Sequence, residues 1–217
     1  MTEAHPKRPL DDATSRAGTL HLAADALCLD FTNTSSGRHS EDWLDHLTSY
    51  RMLSVWAEHA GAIDAATAAL LRDKAAAMPR QAEIVLLDAV ALREAIYRIF
   101  SAVAERGQAG ETDLAVLDGA HLRAQRHRHL RAGPSGFALE WRPEGPALDR
   151  LLWPVAESAV ELLTRGRLDR VKVCPGHHCG WLFLDTTKNG TRRWCSMEVC
   201  GNRAKQRAIQ ARKKAAG

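Results

Sequence analysis

Four of the chain's five cysteines fall within one short stretch, as Cys174, Cys179, Cys195 and Cys200. Each pair has four residues between its members, and fifteen residues separate the pairs. Thiolates in this pattern can close a tetrahedral zinc site, so a segment too small for its own core folds around an ion. Pro175 and Gly176 provide the turn that lets both sulfurs of the first pair face one ion. Four thiolates leave no open coordination position, which makes the expected Zn2+ structural rather than catalytic. Such a site contributes on the order of 10 kcal/mol to a small module. Two alternatives stay open at this point. The cysteines could be ordinary thiols, or His177 or His178 could replace one sulfur. Cys28 is remote and reads as a small buried apolar residue.

The residues around the cysteines predict a small hairpin. Val171 and Val173 form a strand leading in, and Trp181-Leu182-Phe183-Leu184 leads out. Lys188-Asn189-Gly190 reads as a hairpin turn, with Arg192-Arg193-Trp194 returning to Cys195. Ser196 is a suitable helix N-cap with Glu198 in the first turn, which places Cys200 at the start of a final helix.

Charge is divided unevenly. Residues 165–217 carry 13 Lys or Arg against three acidic residues, a net of +10, whereas residues 1–164 carry a net of −6. A basic end on an acidic body points to a polyanion partner. On a helical wheel Ala204, Ala208, Ala211 and Ala215 form a narrow stripe. Arg203, Arg207 and Lys214 flank it on one side, Lys205 and Arg212 on the other. With Arg192 and Arg193 on the hairpin, these are the candidate nucleic-acid-binding residues, and DNA is the expected partner. The alternative is a solvated basic tail. Arg203 could pair with guanine, or could pin the zinc loop by bonding its carbonyls.

The remaining chain of 217 residues suits one medium, mainly helical domain, and an apolar content of 45% supports a core. No apolar run reaches membrane-spanning length, so a cytoplasmic protein with reduced thiols is expected. Residues 1–18 read as a loose tail. Leu27, Leu29 and Phe31 alternate with Cys28 and Asp30, which predicts a strand. Ser40 reads as the cap of a helix carrying Trp43, Leu44 and Leu47, and Asp64 as the cap of a second, Ala-rich helix. A long helix is expected over 81–105, another from Thr112, a strand over 137–141 and a helix over 148–163 with Pro154 in its first turn. His121, His127 and His129 lie among arginines and read as a solvated basic helix face. Asp25, Asp30 and Asn33 read as caps and turn bonds, with a polar pocket as the other option. No phosphate loop or nucleophile elbow is present, so no enzyme is expected.

The run Trp194-Cys195-Ser196-Met197-Glu198-Val199-Cys200-Gly201-Asn202-Arg203 resembles the signature of CGNR zinc fingers. The pair Cys174 and Cys179 and the run Phe183-Leu184-Asp185-Thr186 fit the same pattern. The segment Leu27 to Thr34 resembles the opening of the ABATE domain that accompanies this finger. The resemblance implies a stress-induced transcription regulator and carries the four zinc ligands onto the four cysteines. The sequence therefore predicts a mainly α chain with minor β. A tail (1–18) precedes a helical ABATE-like domain (19–166) and a zinc finger (167–217) built as a β-hairpin followed by a helix. The larger domain would sense a small-molecule effector or mediate assembly, including a homodimer. An RNA- or protein-interaction module and a thiol redox switch are the competing functions.

Overall fold

A 26-residue helix, Pro79–Ala104, is the pillar against which most of the helical body packs. Its proline sits in the first turn, where the missing N–H has no partner to lose. Val85, Ala89, Leu92, Ile96, Ile99 and Phe100 form its buried face. The computed structural model describes residues 8–38, 40–41, 43–134, 136–142 and 147–215. In chain order these form β1 (Arg8–Pro9), α1 (Leu27–Thr32), β2 (Ser35–Ser36), β3 (Leu44–Asp45), α2 (Tyr50–His59), α3 (Ala65–Ala77) and the pillar α4. After it come α5 (Glu111–Gln125), β4 (Arg128–Gly133), β5 (Gly136–Trp141), α6 (Trp153–Arg165), β6 (Val171–Val173), β7 (Leu182–Leu184) and α7 (Asn202–Ala215). A 3-10 turn over Leu148–Leu152 leads into α6, with Pro154 in the first turn of that helix.

The chain is mainly helical with minor strands, and Asp64 caps α3 by accepting from the Thr67 N–H at 2.7 Å. Two local expectations about secondary structure are corrected. Leu27–Thr32 is helix α1, because it is buried on more than one side: Cys28, Leu29, Phe31 and Thr32 are all inside. Continuous burial removes the periodicity that separates strand from helix. Ser40 starts no helix. Leu44 and Asp45 are extended, pairing antiparallel with Ser36 and Ser35 and parallel with Arg8 and Pro9. That placement lets Asp45 receive a bidentate pair from the fully buried Arg93 at 2.6 and 2.8 Å. The helix starts at Tyr50 instead, capped by Ser49 Oγ from the Met52 N–H.

The expected loose tail is anchored within the described residues. Ala17 is buried in the core, and the Asp12 carboxylate accepts from Thr48 at 2.6 Å and Ser49 at 2.9 Å. The histidines also depart from one solvated helix face. His121 lies 3.5 Å from Glu157 of α6, His127 stacks on Trp153 at 4.2 Å, and His129 belongs to β4.

The core is continuous from α1 through α6 into β6 and β7, and includes Leu182 and Phe183 beside Leu29 and Ile96. The C-terminal unit thus shares its apolar interior with the helical body. Among the described residues no helix is long and apolar enough to cross a membrane.

Candidate metal centre and basic helix

β6 and β7 pair antiparallel, Val171 with Leu184, Lys172 with Phe183 and Val173 with Leu182. The loop joining them carries the first cysteine pair. The hairpin is therefore β6 against β7, and the expected return of residues 192–194 as its second strand is corrected. The Cys174 N–H donates to the Trp181 carbonyl at 2.7 Å and the Cys179 N–H to the Gly176 carbonyl at 2.9 Å. His178 and Gly180 take positive φ of 62° and 69°, which reverses the chain within the loop. Gly176 is needed for close approach: a Cβ there would lie 3.0 Å from Cys200 Sγ.

Residues 185–195 carry the second pair to the first without strand pairing. Asp185 is their hub. Its buried carboxylate accepts from Lys172 Nζ at 2.6 Å, from the Thr187 N–H at 3.0 Å and from the Arg192 N–H at 2.9 Å. Burial alone pushes this carboxyl up, but the bonds from Lys172 and Thr187 outweigh it and hold it well below the usual carboxylate range. Lys172 Nζ also donates to the carbonyls of Gly190 at 2.7 Å and Arg192 at 2.8 Å, closing the loop.

This scaffold brings Cys174, Cys179, Cys195 and Cys200 together. Their four Sγ atoms lie within 4.8 Å of one another, three buried and Cys179 partly exposed. Cys195 Sγ is 3.7 Å from both Cys179 Sγ and Cys200 Sγ. Zinc–sulfur bonds of about 2.3 Å at tetrahedral angles require S···S edges near 3.8 Å, whereas a disulfide requires about 2.05 Å. All five cysteines are free thiols. The Cys195 N–H points at Cys174 Sγ from 3.4 Å, a donor of the kind that supports a ligating thiolate. Four thiolates this close ionise together only around a cation. Without an ion the sulfurs share protons through S–H···S contacts, which pull Cys174 down and push Cys195 up. The donor set fits a tetrahedral thiophilic ion. Cys28 is far from it, fully buried, with its thiol pushed up to about 12 by burial.

Around the cluster, the unit is welded to the helical body. Asn33 is buried on α1's C-terminal side and reads β7 like a missing strand: its Nδ2 donates to the Leu182 carbonyl at 2.9 Å and its Oδ1 accepts from the Leu182 N–H at 3.0 Å. The Leu184 N–H donates to the Ala24 carbonyl at 2.8 Å. Tyr97 Oη donates to the Gly180 carbonyl at 3.1 Å, and Trp181 Nε1 to the Ser35 carbonyl at 3.2 Å. Asp30 holds the Ala24 N–H at 3.0 Å, and burial raises its carboxyl to about 6.

The predicted nucleic-acid residues separate into two groups. The Arg192 guanidinium faces inward. It bonds Asp25 and the carbonyls of Ala23, Trp194 and Cys195, and lies 4.6 Å over the Phe183 ring. Its donors are used within the protein, which is the loop-pinning role that the sequence left open for Arg203. Arg193 is exposed beside Trp194. Arg203, Lys205, Arg207, Arg212 and Lys214 are all exposed on α7, together with Lys213, which lies on the side of the helix opposite the alanine stripe. The Ser196 hydroxyl caps the π-type turn Met197–Gly201 that leads into α7, accepting from the Val199 N–H at 3.2 Å.

Residues 25–166 match the ABATE family, described as "Putative stress-induced transcription regulator". The chain belongs to the ABATE family. Residues 170–213 match the CGNR zinc finger, and this second match spans all four clustered cysteines and most of α7. No curated protein matches the chain. The ABATE and CGNR matches are to regulator and zinc-finger types rather than to enzyme families. This ABATE protein is thus a regulator-family chain with a sulfur cluster suited to a metal.

Proposed function

We propose that this ABATE protein is a DNA-binding transcription regulator. One structural Zn2+ held by Cys174, Cys179, Cys195 and Cys200 fixes the root of α7, and α7 lies on the duplex. The observation that carries this reading is the nakedness of α7. Every residue of 202–214 is exposed except the half-buried Ala204. The segment carries six Lys or Arg and no acid, and its one large apolar side chain, Ile209, is 46% exposed. A helix of 14 residues is about 21 Å long and marginal in water unless something covers it. A polyanion supplies that cover. The rows Arg203–Arg207–Lys214 and Lys205–Arg212 straddle the alanine stripe, so a phosphate backbone can approach the helix closely. Arg193 adds a contact beside the cluster, and Arg192 does not take part.

Fluorescence anisotropy of the zinc-loaded protein with duplex DNA tests this. With five or six phosphates neutralised, affinity falls about 500- to 2000-fold between 50 and 200 mM salt. Arg203→Ala with Arg207→Ala lowers the salt slope by about 2. Duplex binding that ignores salt, or no duplex binding at all, contradicts the reading.

A further inference from the structure

The metal-ligand sulfurs do not face only protein. A cleft of about 270 Å³ opens over Cys179, Cys195 and Cys200. One wall comes from the N-terminal segment of the helical body, with Arg16, Leu20 and His21. The other comes from the metal unit, with His178, Trp181 and Arg203. No Asp or Glu lines it, in a chain with 26 of them. Among the described residues neither Arg16 nor Arg203 has a carboxylate partner. Leu20, Trp181 and Val199 add apolar surface to the same lining. The space is at the small end of ligand sites and suits a molecule on the order of ten heavy atoms.

We propose that this cleft binds a small organic anion: a carboxylate carried on a compact apolar body. The two arginines approach the charge from opposite walls, and the imidazoles of His21 and His178 supply further donors. The site has a regulatory consequence because Arg203 belongs both to the cleft and to α7. A carboxylate that engages Arg203 withdraws it from phosphate, and holds the root of the helix against the body. Ligand and duplex therefore oppose one another. This regulatory half rests on the nucleic-acid reading above; the binding half does not.

Isothermal titration of the zinc-loaded full chain with benzoate and, separately, with its neutral isostere benzamide tests the binding half without DNA. Benzoate binds saturably at one site, and benzamide binds at least about tenfold more weakly, as expected for loss of a charge-assisted bond. Arg16→Ala weakens benzoate about ten- to a hundredfold while leaving zinc content and thermal midpoint unchanged. Equal binding of the two compounds would mean that the arginines only balance the negative metal–thiolate cluster, and would overturn the proposal. So would the absence of binding by either. For the regulatory half, saturating benzoate weakens duplex affinity about fivefold or more in the wild type and not in Arg16→Ala. Unchanged duplex affinity in benzoate-saturated wild type overturns that half. Benzoate binding that discriminates as stated, in a protein that binds no duplex, would leave the cleft standing and remove the nucleic-acid reading instead.

Discussion

The hairpin β6–β7 and the helix α7 belong to one C-terminal unit, are joined through the same cysteine cluster, and meet opposite environments. Leu182 and Phe183 of the hairpin are fully buried in the core of the helical body. α7 touches almost nothing but its own root. The hairpin side is held by directional bonds from Asn33, Tyr97, Trp181 and Arg192, whereas the helix carries six unengaged cations. The contrast teaches that the sulfur cluster is a joint rather than a free-standing bead. It fixes the start of an exposed basic helix relative to a large rigid domain.

The comparison breaks most forcefully at the joint. Stripping the metal with a chelator, or Cys195→Ser, costs on the order of 10 kcal/mol of apparent stability in urea unfolding. Because the hairpin shares the core, the helical body also loses part of its thermal midpoint. An unchanged midpoint would mean that the two units are energetically separate.

Arg192→Ala acts on the weld alone. It leaves Asp25 and three backbone carbonyls without their guanidinium and costs about 3 kcal/mol in denaturant titration. A cost within 0.5 kcal/mol would place Arg192 with the free cations of α7. Asn33→Ala strips both bonds from the Leu182 peptide and costs about 2 kcal/mol, read in the same way.

Asp30 gives the weld a pH dependence. Its carboxyl titrates near 6 in the folded chain against 3.8 as the reference value, because burial disfavours its charge. A raised folded pKa contributes stability that is fully present below the unfolded value and lost as pH rises through 6. Asp30→Asn removes that loss. It raises stability by about 2 kcal/mol at pH 8 and by nothing near pH 3.5, measured by urea midpoints at the two pH values. The smallest effect is on the helix: Arg203→Ala with Arg207→Ala leaves stability within about 0.5 kcal/mol of wild type.

What could be read from the sequence follows from range. The four cysteines, the Ser196 cap, the Asp64 cap and the long apolar period of α4 are local signals, and each lies where its spacing puts it. The joint is not local. Asn33 meets Leu182 across 149 positions, and Arg192 meets Asp25 across 167, so no window contains both partners. Arg192 reads as a free cation because its one carboxylate partner, Asp25, is remote in sequence and its other acceptors are backbone carbonyls, which a sequence does not distinguish. Leu27–Thr32 misled because burial on several sides erases the period. Ser40 misled because a good cap residue precedes Trp43 and Leu44, while the partner that keeps residues 44–45 extended, Arg93, lies far downstream. In the metal unit, Lys188-Asn189-Gly190 has the composition of a hairpin turn, yet the strand that β7 needs was already provided by β6.

Amide hydrogen exchange on the zinc-loaded protein, with and without duplex DNA, tests the division between joint and helix most directly. The account predicts strong protection of β6 and β7 under both conditions. Amides of residues 205–214 exchange rapidly alone and become protected when DNA is added. Protection of α7 in the absence of DNA, or DNA-induced protection that falls elsewhere and leaves α7 unchanged, would contradict it.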